Sequence, residues 1–290
     1  MANFLIRNMG ISNNSELYNI IKNDSTNTIF ITNPNLVIKT KMDINELALS
    51  PNVKVYDLKS LVLKIYREYI HKLEIINSDK QRILFLKAII EVNSKLKVLK
   101  DYYEEIIDEI IDIYNKEKKL RLKKSDYRNS KIDDINLIIE TYLELIEDKY
   151  IDEVQVYEEV NDFLKDNFIY QDYNIYINDL YYFDNTEREL IISLLRYSKN
   201  SYIVFPINKE INGLEILFNN YQYFISNLDS VHFIDNNLEY SYKDFLVDNL
   251  YSFNEVKYED NIPIGLYGAS DPYDEIIFIA NQIEKMRNLY

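Results

Sequence analysis

The sequence predicts an α/β domain built on a parallel sheet and interrupted by a helical insertion. Three observations carry this reading. Residues 174–207 run strand, helix, strand: Ile175 and Ile177 flank Tyr176, then Leu190, Ile191, Leu194 and Leu195 form one apolar stripe, then Tyr202, Ile203, Val204 and Phe205 lead to Pro206. Two strands joined in this way through one helix form a βαβ unit and lie parallel. Residues 1–70 alternate strand and helix signals in the same manner. Between these regions the strand signals vanish for about a hundred residues, and no Gly or Pro occurs between Pro51 and Pro206, which suits long helices.

The elements follow in chain order. Phe4, Leu5 and Ile6 begin a short buried strand, and residues 14–22 suit a helix with Leu17, Ile20 and Ile21 on one side. Residues 28–32 form a second strand, stopped by Asn33, Pro34 and Asn35. Residues 53–56 form a third, after which Asp57 caps a helix over 58–69. The insertion holds helices over 78–92 (with Ser78 and Gln81 as its capping box), 99–114, 131–148 and 152–164, and no strand. Strand signals return at Tyr173. Asp184 and Glu187 make a second capping box. Residues 214–228 are predicted helical and residues 231–234 a strand, whereas residues 235–260 lack a clear period. Residues 262–267 form a last strand. Asp271 caps a final helix with Pro272 at its first position and Ile276, Ile279, Ala280 and Ile283 on its apolar face. The rival organisation, two consecutive domains, would need a separate sheet for the later βαβ unit.

Composition narrows the function classes. The chain has 290 residues, 47% of them hydrophobic, enough for a core in one or two domains. It has no Cys, which excludes disulfides, thiolate metal sites and iron–sulfur clusters within it. No signal peptide or long apolar run occurs, so a soluble cytoplasmic protein without membrane contact is expected. The net charge of -15 argues against strong unaided DNA binding, though it leaves room for a local basic patch or a channel completed by a partner.

The first strand, loop and helix stand where a phosphate-binding loop would be. Such a loop reads G-x-x-x-x-G-K-[ST], because backbone N–H groups cradle phosphates, Lys neutralises them and Ser/Thr holds magnesium. Here Arg7 and Ser12 replace the two glycines around Gly10, Asn13 stands in place of Lys and Asn14 in place of Ser/Thr. Asn13 supplies no charge, so no nucleotide site and no cofactor are expected. After the buried strand of residues 174–177, Asn178 and Asp179 occupy the place of a magnesium-binding acid, and Asp179 reads as a loop acid. Residues 116–131 are the one basic stretch: Lys116, Lys118, Lys119, Arg121, Lys123, Lys124, Arg128 and Lys131 against Glu117 and Asp126. Phosphate contact through Lys118, Lys119, Arg121, Lys123, Lys124 and Arg128 is the functional reading, and a solvated linker the bland one. His71 and His232 have no ligand spacing, so no metal site is expected. Glu104/Asp108 and Glu158/Asp162 read as solvated helix faces, and no catalytic residue is identified.

Several segments carry a resemblance. The run INDLYYFDNTE from Ile177 resembles the "IDGFTGFTPxE" stretch of AddB/RexB-type subunits, the B subunits of bacterial ATP-dependent helicase/nucleases, with Asn178 on the family's Asp and Asp179 on its Gly. FLIR from Phe4 looks like the strand before that family's "GRAGSGKT" loop, and TNP from Thr32 resembles its "VPEQ" segment. VKVYDLKSLVLKIY from Val53 looks like "VLSFSRLAWRVL". KIDDINLIIETY from Lys131, with YID from Tyr150, resembles "KLxDLxxIYxxY…YxD". GASDPYDE from Gly268, with ANQI from Ala280, is similar to "AxNPRDEVExVAxxI". The shared order and spacing run almost the whole chain.

The resemblance implies a RecA-like, P-loop NTPase-like domain split by a helical insertion, as in superfamily 1 helicases. Residues 1–70 and 170–262 would form that domain, residues 71–169 the insertion, and residues 263–290 the start of a second, truncated RecA-like domain. The chain then reads as a fragment, with the family's nuclease and its iron–sulfur cysteines beyond Tyr290. It also implies a heterodimer with an A-type helicase/nuclease subunit that processes double-strand DNA ends for recombinational repair. The expected role is a non-motor module that guides single-stranded DNA and docks the partner. A protein-interaction scaffold without DNA contact is the alternative. An active ATPase is disfavoured by Asn13 and Asn14. The fragment alone is expected not to be catalytic, although the parent family is an ATP-dependent helicase/exodeoxyribonuclease.

Overall fold

The computed structural model describes residues 2–6, 15–46, 52–101, 103–121, 129–206, 213–228, 231–235 and 267–287, together with residues 245, 246, 249 and 257. The chain divides into two compact units, Met1–Glu239 and Tyr240–Tyr290. In the first unit six parallel strands form one sheet: β1 (Ala2–Ile6), β2 (Thr28–Ile31), β3 (Val53–Tyr56), β6 (Asn174–Ile177), β7 (Asn200–Phe205) and β8 (Val231–Asp235), in the order β3-β2-β6-β7-β1-β8. Strands separated by more than a hundred residues in sequence, β2 and β6, are direct neighbours with Ile29 opposite Ile175 and Ile31 opposite Ile177.

Side chains alternate across this sheet, as the two-residue period of a strand requires. Ile29, Ile31, Ile175, Ile177, Ile203 and Phe205 enter one core. That core is closed by α3 (Leu58–Ile65), α7 (Glu153–Asp166), α8 (Asn185–Arg196) and α9 (Glu215–Asn227). Phe30, Tyr176 and Val204 enter the other core, under α1 (Ser15–Lys22) and α2 (Val37–Glu46). On that face Phe30, Tyr176 and Tyr202 stack in sequence, with ring centroids 6.4 and 4.5 Å apart. With both faces covered, the sheet is of the doubly wound kind.

Helices α4 (Ser78–Val92), α5 (Tyr103–Leu120) and α6 (Ser130–Ile146) share a third core, formed by Phe85, Ile89, Ile107, Ile110, Tyr114, Ile138 and Tyr142 among others. The chain leaves the sheet through Glu74–Ile75 (β4) and returns through Tyr150–Ile151 (β5). These two pieces pair in parallel as a separate small sheet. This corrects the expectation of no strand within the insertion. A two-residue strand is too short for any periodicity to announce it.

Other elements also differ from expectation. The cap of α4 is Asn77, whose side chain accepts from Lys80 N at 2.9 Å, because Ser78 is already helical. Helix α5 starts at Tyr103 and not at residue 99, since the backbone N–H groups of residues 97–99 are held by Asp134. The helix expected over 58–69 is α-helical only through Ile65 and continues as a π turn, Tyr66–Ile70. Helix α2 was not anticipated: Asn33 and Pro34 stop β2 but also start a 3-10 turn that runs directly into it. The strand expected over 262–267 lies outside the described residues up to residue 266. In the second unit α10 (Pro272–Arg287) is capped by Asp271, which accepts from Asp274 N at 2.8 Å.

Candidate functional site

Because the strands are parallel, the ends of β2, β3, β6, β7 and β1 lie along one carboxyl edge, the place where such sheets hold ligands. The loop after β1, with Arg7, Gly10, Ser12, Asn13 and Asn14, lies outside the described residues. The loop after β6 is described. Asn178 is buried, and its backbone N donates to Ile31 O at 3.0 Å. Asp179 has φ 56°, in the left-handed region that suits glycine and tolerates Asp. Its carboxylate accepts from Asn178 Nδ2 at 2.7 Å and from the Tyr181 hydroxyl at 3.1 Å. Asp179 is thus a turn-forming acid held by its own loop.

Two residues that sequence reasoning missed fix this loop from outside. Asn220, fully buried on α9, donates to Tyr181 O at 2.8 Å and accepts from Arg188 Nε at 2.7 Å. The Arg188 guanidinium lies over the Tyr223 ring at 5.2 Å. Nothing in sequence pairs residues 181, 188 and 220. Only the placement of α8 beside α9 does so.

The first turns of α3, α7 and α8 line a cleft of about 180 Å³ with the end of α5, through Lys59, Lys119, Glu153, Tyr157, Asp184 and Glu187. Each of the three helix N-termini already carries an acidic cap: Asp57, Asp152 and Asp184. Lys59 Nζ pairs with Glu153 at 2.5 Å. Burial, reinforced by the nearby Asp184 charge, pushes the Glu187 carboxyl above its ordinary value. The cleft is smaller than the roughly 300 Å³ at which ligand pockets begin. Its helix dipoles are answered by carboxylates, leaving no seat for phosphate.

The basic stretch is placed only in part. Lys118 and Lys119 lie in the last turn of α5 and Arg121 just after it, while Lys123, Lys124 and Arg128 lie outside the described residues. Lys118 Nζ meets Glu158 at 3.3 Å, and Arg121 Nη1 meets Glu189 at 2.6 Å. Glu189 also accepts from Asn161 Nδ2 at 3.2 Å. At the same junction Asn185 Nδ2 donates to Leu120 O at 2.7 Å, and the Thr186 hydroxyl donates to Lys119 O at 3.3 Å. The carbonyl end of α5 thereby meets the N-terminus of α8, a favourable dipole arrangement. Two of the candidate DNA-binding cations hold the end of α5 to α7 and α8, and Lys119 is exposed.

The motif residues of the insertion are structural. Asp134 accepts from Lys97 N, Val98 N and Leu99 N at 3.0, 2.7 and 3.0 Å. Asp152 accepts from the Tyr114 and Tyr142 hydroxyls at 2.7 and 3.0 Å while capping α7. Among the described residues no group of three or more His, Cys, Asp or Glu could hold a metal ion, and no helix is long and apolar enough to cross a membrane.

A parallel sheet covered by helices on both faces, with a helical insertion between β3 and β6, is consistent with a RecA-like α/β domain. The sequence model of the family ADDB, N-terminal, matches residues 51–255, and the chain belongs to that family, the AddB-type subunits of DNA-repair helicase–nucleases. No curated protein matches the chain.

Proposed function

We propose that this chain is the non-motor helicase-like module of an AddB-type subunit, which guides DNA and docks an A-type partner at DNA ends in the cytoplasm. One observation carries the non-motor reading. The window after β1 has Asn13 and Asn14 where a phosphate-binding loop needs Lys and Ser/Thr. Calorimetry with ATP and magnesium is expected to show no binding. Stoichiometric binding that disappears in Asn13→Ala would overturn the reading.

DNA contact belongs to Arg128 and to the three lysines Lys119, Lys123 and Lys124, because Lys118 and Arg121 are engaged by Glu158 and Glu189. Changing those three lysines to Ala in the assembled complex is expected to weaken binding to a DNA end. It should also flatten the slope of log K against log salt by roughly 0.7–0.9 for each phosphate that is no longer neutralised. Fluorescence anisotropy across a salt series reads both. The internal pairing of Lys118 and Arg121 favours one second reading, a protein-interaction scaffold without DNA contact. Unchanged affinity and slope in the triple variant would establish it.

A further inference from the structure

Two clefts of about 600 and 570 Å³ flank the outer face of α7 and share Glu159 and Asp162, so they form one groove. One end has an apolar floor of Leu73, Leu143, Ile146 and Ile151, beside the Tyr150 ring. The other end has Tyr69 and Phe163, whose rings stack 5.9 Å apart, with Tyr69 49% exposed. The rim is acidic: Glu144, Glu147, Asp148 and Glu158 at the first end, Glu159 and Asp162 in the middle, Asp166 at the second, with Glu158 paired to Lys118 at 3.3 Å and Asp162 to Lys165 at 2.8 Å. Among the described residues the only base lining either cleft is Lys72, 4.0 Å from Glu159. Glu144, Glu147, Asp148 and Asp166 have no ion-pair partner among the described residues.

We propose that this groove is a docking site for a basic segment of a partner protein, one that places Arg or Lys on the rim and apolar side chains on the floor. Charge complementarity selects that occupant. Same-sign charges lining a concave wall focus a negative potential, which draws cations and repels phosphate. The exposed Tyr69 ring adds a surface on which a guanidinium stacks. The groove therefore does work different from that of the lysines at the end of α5. It is a protein contact and excludes nucleic acid, and it stands whether or not those lysines touch DNA.

The test uses the full chain and a labelled amphipathic peptide of alternating Leu and Arg, with a Leu and Glu peptide and a single-stranded oligonucleotide as comparisons. The variant Glu144→Gln, Glu147→Gln, Asp148→Asn, Asp166→Asn removes four charges isosterically and breaks no ion pair. A second variant, Glu91→Gln, Glu104→Gln, Glu105→Gln, Glu109→Gln, removes as many charges from exposed positions on α4 and α5. Anisotropy is expected to show the Arg peptide binding the parent and the second variant alike, with at least a tenfold loss in the first. Tyr69→Ala should weaken the Arg peptide more than a Lys counterpart. Equal loss in both fourfold variants would mean net charge alone and overturn the proposal. So would no peptide binding, or preferential binding of the Glu peptide or the oligonucleotide.

Discussion

Asp134 shows how one buried carboxylate sets the path of the chain. It is 2% exposed, and it takes the N–H groups of residues 97–99 that would otherwise start α5 early. Burial alone would raise its carboxyl, but the bonds from Leu99, Val98 and Lys97 outweigh burial and hold it below the ordinary value. Asp134→Ala leaves three inward N–H groups unpaired, so a loss of roughly 3 kcal/mol is expected in urea denaturation, with Asp134→Asn losing less. A depressed folded-state pKa means the stabilisation is complete above the unfolded value of about 3.9 and is lost as pH falls through the folded value. Denaturation midpoints followed from pH 6 downward should therefore separate parent from Asp134→Ala less and less. A gap that holds constant into acid would count against the account. Asp179 is a second case. Val in its left-handed position should cost about 2 kcal/mol in thermal denaturation, whereas Gly should change stability by less than about 1 kcal/mol. The aligned family glycine marked this position, but the positive φ that explains it was visible only in the fold.

At the scale of elements, the insertion is joined to the sheet by side chains near helix ends. Tyr114 on α5 and Tyr142 on α6 both donate to one oxygen of Asp152, the cap of α7, and Phe85 on α4 stacks on Tyr142 at 3.8 Å. Tyr114→Phe or Tyr142→Phe alone should cost about 1.5–3 kcal/mol, the range for a bond to a charged acceptor. Together they leave Asp152 buried with only its capping bonds, so the pair should be worse than the sum by more than about 0.5 kcal/mol. Additive losses in a double-mutant cycle would refute the shared clamp. Burial first, then the Asp152 charge, pushes both phenols up. Their contribution is present below the unfolded value of about 10 and is lost as pH rises toward the folded values. The box at Asp184 and the cap at Asp57 were legible because a capping acid announces itself locally, whereas the box that Asp152 makes with Gln155 emerged only in the fold. Helix α2 was not legible: only Thr40 and Ile44 of its ten residues are buried, so it has no clear apolar stripe.

At the scale of the whole molecule, the alternation of strand and helix signals announced the parallel sheet, and its loss and return announced the helices between β3 and β6. Sequence could not say how those helices divide. Helix α7 gives Val156, Val160 and Leu164 to the core beneath the sheet, whereas α4, α5 and α6 close a core of their own. That division depends on which helix lies beside α8, a long-range fact that periodicity does not contain. It has a dynamic consequence. A cluster with its own apolar interior, tied to the rest through the two-residue β4–β5 pair, the Asp152 clamp and the α5–α8 junction, can open without opening the sheet. Native-state hydrogen exchange in increasing urea should show amides of α4–α6 sharing one opening free energy. Amides of β2, β6 and β7, with α7 and α8, should share a higher one. Arg121→Ala, which removes the bond to Glu189, should lower the first value and leave the second within about 0.5 kcal/mol. If all these amides merge into one opening event, and Arg121→Ala shifts them together, the insertion is not a separate cooperative unit.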